Sequence, residues 1–168
     1  MALRVEDYAL IGDTHTAALV GRDGSIDWLC LPRFDSGACF AALLGNASHG
    51  RWLIAPQPSA HAIRRRYRPD TLILETDFET DEGVVRLVDC MTPRQDEPDV
   101  IRVVQGLRGT VSMKMELVIP VRLRPRGAVG SAHRWASPSD RGAGRAGALD
   151  RCSDVGHGPH HASNVYHS

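Results

Sequence analysis

Apolar and polar residues fall into short runs cut by turn residues, and the runs read as strands. Tyr8 to Gly12 and Ala17 to Val20 are apolar, with Asp13-Thr14-His15-Thr16 between them. A tight turn at Arg22-Asp23-Gly24 follows, then an apolar strand over Ile26 to Leu31 that stops at Pro32. This pattern predicts a β-hairpin. Phe40 to Leu44 predicts one helical turn closed by Gly45-Asn46, and Gly50 to Pro56 a strand with Trp52 and Ile54 on one face. Ala62 to Tyr67 leads into a turn at Pro69-Asp70. Over Thr71 to Thr80, Leu72, Leu74 and Phe78 fall on one face, and Glu75, Asp77 and Glu79 on an opposite, solvated face. Asp81-Glu82-Gly83 turns the chain into an antiparallel return over Val84 to Met91. Val100 to Leu107 and Met113 to Ile119 add two strands joined through Arg108-Gly109-Thr110. Short strands, short turns and almost no helix give the expected fold class: mainly β, an antiparallel β-sandwich.

The pattern ends near residue 121. From 122 to 168 there is no apolar periodicity, and Gly, Ala, Arg, Ser, Pro and His dominate. Such a stretch buries too little apolar surface to offset the entropy of ordering it. The expected division is a sandwich domain over 1–121, left incomplete, and an unstructured, disordered tail over 122–168. The plain reading of that tail is a linker. The sharper one is a frameshift, because Arg, Gly, Ala and Pro are what a GC-rich gene yields out of frame and the break is abrupt.

Charge and composition narrow the function. The 168 residues carry zero formal net charge, which argues against nucleic acid as a partner. The basic run Arg64-Arg65-Arg66 splits across two strand faces and reads as a solvated edge that discourages edge-to-edge pairing. No GxGxxG, GxxxxGK[ST] or GxSxG motif is present, so nucleotide chemistry and serine hydrolysis have no support. No apolar run reaches the length of a signal-peptide core or a bilayer span, so the expected location is cytoplasmic, with no membrane partner. Cys30, Cys39, Cys90 and Cys152 lack CxxC spacing; reduced thiols are expected, with Cys30 and Cys90 packed as small apolar residues. His157, His160, His161 and His167 have no ligand spacing on a fixed scaffold, so no metal or cofactor is expected.

One stretch stands out: GSIDWLCLPRFDSGACF, residues 24–40, in which a strand ends in a cation, a ring and a carboxylate, Arg33, Phe34 and Asp35. Trp28 offers a face that stacks on a sugar ring, and Arg33 and Asp35 offer hydrogen bonds to hydroxyls. The plainer alternative makes Trp28 a core residue and Arg33–Asp35 a local ion pair that shapes the loop. His15 is either polar filler or a hydrogen-bonding partner of the loop at 33–35. Glu75, Asp77 and Glu79 lie about 7 Å apart along a strand face, within the spacing that glycoside hydrolysis needs. Without a pocket they read as a solvated face, or as a contact for another domain.

Several segments together resemble the N-terminal domain of bacterial glycoside hydrolase family 15, the glucoamylase and trehalase-like proteins. They are DYALIGD at 7–13, TAALVGRDGSIDWLCLPRFDS at 16–36, FAALLG at 40–45, HGRWLIAP at 49–56, RRYRPDTLILET at 65–76 and VVRLVDCMTPR at 84–94. The resemblance implies a supersandwich-like β-domain ahead of an (α/α)6 catalytic toroid that carries two glutamates. No position here matches those glutamates, so no catalytic residue is assigned. The expected function is the non-catalytic front of an enzyme acting on α-glucosides such as trehalose, maltose or starch oligomers. Trp28, Arg33, Phe34 and Asp35 are then candidates for the rim of its sugar site. The rival readings are a stand-alone carbohydrate-binding or protein-interaction sandwich module, and the product of a broken gene.

Overall fold

The computed structural model describes residues 3–120 and two short strands beyond them, 144–146 and 164–166. In chain order the strands are β1 (Tyr8–Gly12), β2 (Ala17–Gly21), β3 (Ser25–Cys30), β4 (Ala38–Phe40), β5 (Arg51–Pro56), β6 (Ala62–Tyr67), β7 (Leu74–Glu79), β8 (Gly83–Met91), β9 (Val100–Gly109), β10 (Met113–Val118), β11 (Gly144–Ala146) and β12 (Asn164–Tyr166). Among the described residues helix is confined to single 3-10 turns, among them Ala42–Leu44, where one helical turn is predicted, and Ala47–His49. One sheet runs β1-β2-β3-β5-β10-β12, with β4 also on β3; the other runs β11-β9-β8-β7-β6. Every pairing is antiparallel. The mainly β, antiparallel fold class read from the sequence is the one observed. The expected tail over 122–168 lies outside the described residues, β11 and β12 apart.

Period-2 alternation builds the core. Ile11, Val20, Ile26 and Ile54 from the first sheet meet Leu74, Phe78, Leu87 and Val100 from the second in one buried cluster. Trp52 joins Ile54 on the core face, as the sequence predicts. At about 25 cal/mol per Å² of apolar surface, such a two-layer core is the main source of stability. Tyr67 closes one side of the sandwich. Its hydroxyl accepts from Leu10 N–H and donates to Leu10 C=O, both at 2.9 Å, and so ties edge strand β6 to edge strand β1. Arg65 adds a bond to the Val20 carbonyl at 3.1 Å. On the outer face of the first sheet, Arg51 grips Glu116 through both carboxylate oxygens and fastens β5 to β10.

A charge pair crosses the core. Arg102 and Asp89, opposite each other on β9 and β8, are both fully buried. Arg102 donates Nε to Asp89 Oδ1 at 2.7 Å and Nη2 to Asp89 Oδ2 at 3.2 Å. It also donates Nη1 to the Trp52 carbonyl at 2.6 Å and Nη2 to the Gly24 carbonyl at 2.7 Å, both on the facing sheet's side. The guanidinium lies 5.2 Å from the Trp52 ring centroid. One side chain thus links the two layers through charge-assisted bonds and a cation–π contact.

Three expectations change. Leu72 is half exposed, because β7 begins only at Leu74 and the preceding residues belong to the turn after Arg68. The carboxylate face of β7 is not a simply solvated one. Glu75 is buried beneath Arg66 (2.6 Å), Arg68 (2.8 Å) and Arg86 (3.4 Å), and Asp77 pairs with Arg86 (2.6 Å) and Arg66 (3.1 Å). Cross-strand register explains this, since Arg66 stands opposite Glu75, and Arg86 opposite Asp77. Third, Cys30 and Cys90 are free thiols, but Cys39 is in a disulfide, against the expectation of reduced thiols. Local spacing does not report pairs made by the fold.

The arginine network makes stability acid-sensitive. The hydrogen bond from Arg68, opposed by burial, holds the Glu75 carboxyl below its ordinary 4.5; that from Arg86 holds Asp77 below its ordinary 3.8. A carboxyl whose folded pKa is depressed stabilises fully above its unfolded value and loses that contribution as pH falls through the folded one. Urea midpoints are therefore expected to hold level from pH 7 to about 5 and to drop below about 4. The double variant E75Q/D77N should start lower and show a flatter acid limb. An identical acid limb in that variant would contradict this account.

Candidate functional site

Three chain segments meet at one end of the first sheet: the β1–β2 connection (13–16), the loop after β3 (31–36) and the segment after β8 (92–94). Asp13 opens the first as an N-cap-like turn. Its Oδ1 accepts from His15 N–H at 3.0 Å and Thr16 N–H at 2.8 Å, which holds Thr14 at φ 77, a left-handed conformation costly for a β-branched residue. Its Oδ2 accepts from Arg94 Nε at 2.7 Å, with the Asp13 side chain fully buried and that of Arg94 only 11% exposed. Burial pushes the Asp13 carboxyl up, but the Thr16 N–H, the Arg94 guanidinium and the His15 N–H outweigh it and hold the carboxyl below its ordinary range. Arg94 also donates Nη2 to the Pro32 carbonyl at 2.5 Å.

That carbonyl belongs to the loop carrying the predicted residues. The Leu31–Pro32 bond is cis. Thr16 Oγ1 donates to the Cys30 carbonyl at 2.6 Å, and Phe34 N–H donates to the His15 carbonyl at 3.2 Å. His15 is thus a partner of the loop through its backbone. Arg33 N–H donates to Ser36 Oγ, and Ser36 N–H to the Arg33 carbonyl, both at 3.1 Å. The loop is pinned to the scaffold at Cys30, Pro32 and Phe34, and the side chains of Arg33, Phe34 and Asp35 are left outside. Arg33 Nε donates to Asp35 Oδ1 at 3.1 Å, with both side chains more than two-thirds exposed. Phe34 between them is 63% exposed. The local ion pair read from the sequence is present, and it flanks a ring in solvent.

Trp28 is elsewhere. A β-bulge skips Asp27 in the β2–β3 pairing, so Trp28 stands opposite Leu19, while Ile26 pairs with Val20 and Leu29 with Ala18. Val20, Ala18, Ile26 and Leu29 are core, so Trp28 lies half-buried on the face turned away from it. It is neither a core residue nor part of the loop. The skipped Asp27 is buried and accepts from Tyr8 Oη at 2.7 Å and from Ser25 Oγ.

The sequence reading named Arg33, Phe34 and Asp35 but missed Asp13 and Arg94. Asp13 followed by Thr16 carries a turn-capping signature; Arg94, 81 residues from its partner, has no local signal. Chemically, the loop offers an exposed ring, donors and acceptors on rigid backbone, a combination suited to binding hydroxyl-rich ligands. Among the described residues, no three His, Cys, Asp or Glu side chains are placed to hold a metal ion, and no helix is long and apolar enough to cross a membrane.

Comparison with known proteins gives one family and a consistent set of relatives. The family described as Trehalase-like, N-terminal matches residues 1–121. A trehalase of Mycolicibacterium smegmatis is 32% identical over 130 residues, covering 66% of this chain and 19% of that protein. One of Mycobacterium tuberculosis is 39% identical over 79 residues, covering 47% and 12%. One of Thermoplasma volcanium is 29% identical over 119 residues, covering 67% and 19%. The chain thus spans less than a fifth of the length of these relatives. No solved structure matches it.

Proposed function

Because the chain belongs to the trehalase-like N-terminal family, we propose that it is the front, non-catalytic domain of an α-glucoside-cleaving protein, over residues 1–121, and that loop 31–36 lines the rim of a sugar site completed by a separate catalytic domain. The carrying observation is Phe34, 63% exposed between Arg33 and Asp35 on a loop pinned to the sheet at three points. A ring left in water on a pinned backbone has a face free to stack on a sugar, and this supports the rim reading.

Two buried carboxylates, Asp13 and Asp27, support the non-catalytic part. Asp13 is held by Arg94 and two turn N–H groups, and Asp27 by Tyr8 and Ser25. Glycoside hydrolysis needs two carboxyl groups facing each other across a substrate bond; these are bound in other work. Trehalose is the first ligand to try, because the relatives compared are trehalases. Maltose is the second, and the remaining four-fifths or so of such relatives is where the catalytic partner belongs.

Titration of the chain with trehalose and maltose, followed by amide chemical shifts, tests the rim. Saturable shifts confined to 13–16 and 31–36 are expected, with no turnover of either sugar. Phe34→Ala removes a contact of about 1 kcal/mol and should weaken binding about fivefold without moving the melting midpoint. In a full-length relative, unchanged turnover after replacing the residues matching Arg33 and Asp35 would sink the rim role. Sugar binding by this chain alone, with no such effect in the relative, would favour a stand-alone carbohydrate-binding module.

A further inference from the structure

We propose that Asp13 and Arg94 form a lock that fixes the pose of loop 31–36, making them positioning residues for whatever that loop binds. This rests on the sugar-rim reading only for the identity of the ligand. The geometry is independent of it. Arg94 uses two nitrogens of one guanidinium: Nε on Asp13 at 2.7 Å and Nη2 on the Pro32 carbonyl at 2.5 Å. Pro32 is the residue immediately before Arg33, so the second bond acts at the root of the exposed triplet.

Asp13 works in the other direction. With one oxygen on Arg94 and the other on the His15 and Thr16 N–H groups, it couples the loop root to the turn whose His15 carbonyl receives the Phe34 N–H. The chain of bonds closes a ring: Pro32 to Arg94, Arg94 to Asp13, Asp13 to His15, His15 to Phe34. The Asp13 and Arg94 side chains are nearly out of water, where such bonds are electrostatically stronger than in solvent. Thr14 at φ 77 is held in its left-handed pose inside that ring, so releasing the ring also releases backbone strain.

Arginine is required on this account. A lysine reaches Asp13 with one ammonium but cannot present two donor nitrogens in a fixed planar fork. Asp13→Asn is the cleaner complement, because an amide oxygen still caps the turn while the charge that holds Arg94 is gone.

The test is amide hydrogen exchange on the whole chain, comparing Phe34 N–H with core amides of β8 such as Leu87. In R94K and in D13N, Phe34 exchange should accelerate at least about tenfold while Leu87 exchange stays as it is. R94A should do the same or more. In parallel, trehalose titration should show weaker or absent loop shifts in each variant. Accelerated Phe34 exchange in a protein whose native form binds no sugar supports the lock and removes the sugar reading. Unchanged Phe34 exchange in R94K and D13N overturns the lock, whatever the sugar result. Global unfolding of both conservative variants also overturns it, since the pair would then be holding the sandwich and not the loop.

Discussion

Replacing Arg102 by Met with Asp89 left in place is expected to cost about 3–5 kcal/mol of folding stability. The single change strands a carboxylate that is fully buried, and it removes the donors to the Trp52 and Gly24 carbonyls. Against a total stability of about 5–15 kcal/mol for a domain of this kind, that leaves the chain marginal at room temperature. The check is urea denaturation followed by tryptophan fluorescence, since the Trp52 ring lies beside the guanidinium. The midpoint should fall with an unchanged slope. Replacing both members, D89L/R102M, should recover most of the loss, because a well-packed apolar pair in place of a buried ion pair is often neutral or better. A single variant that loses less than about 1 kcal/mol, or a double variant no better than the single, would contradict this view of the pair.

The second large effect belongs to Gly24. Its φ is +85, a conformation that costs an L-residue about 1–2 kcal/mol. Space adds to that, since a Cβ there would sit 2.2 Å from the Ile54 carbonyl oxygen and 3.3 Å from the Phe78 ring. The backbone approaches this closely because Ile54 N–H donates to the Gly24 carbonyl at 3.1 Å, the same carbonyl that Arg102 uses. Gly24→Ala must separate β3 from β5 and disturb the Arg102 link together. A melting midpoint lower by roughly 10 °C or more is expected. Gly24→Asn tolerates the backbone angle but not the contact, so it should lose nearly as much. If Asn were close to wild type, the close approach would not be the cause.

Parts of this were legible in the sequence for a physical reason. A half-buried sheet imposes period 2, so the run at 84–91 declares itself as a strand, while the run at 50–56 is marked by its continuous apolar stretch and that at 62–67 by the turn residues that follow it. The buried ion pair also left a trace in that periodicity. Asp89 shares parity with Leu87 and Met91, and Arg102 with Val100, so both charges stand at core positions of neighbouring strands. The bulge at Asp27 was not legible, because one extra residue inverts every later position of β3; unbulged alternation would have sent Trp28 into the core with Ile26. At the loop, Arg33, Phe34 and Asp35 were visible because their types break the usual end of a strand. Arg94 was invisible because its function lies in reaching two loops that only the fold brings near.

The pairing of β5 with β10 has a kinetic consequence. β6 to β9 form a meander in which each strand bonds to the next, so that sheet assembles from neighbours along the chain. The first sheet is different: β5 bonds along its whole length to β10, which lies beyond that meander in the chain. Non-local closure of this kind slows folding. A chain holding only β1 to β5 leaves one border of β5 unpaired, and that border is the one β10 later covers.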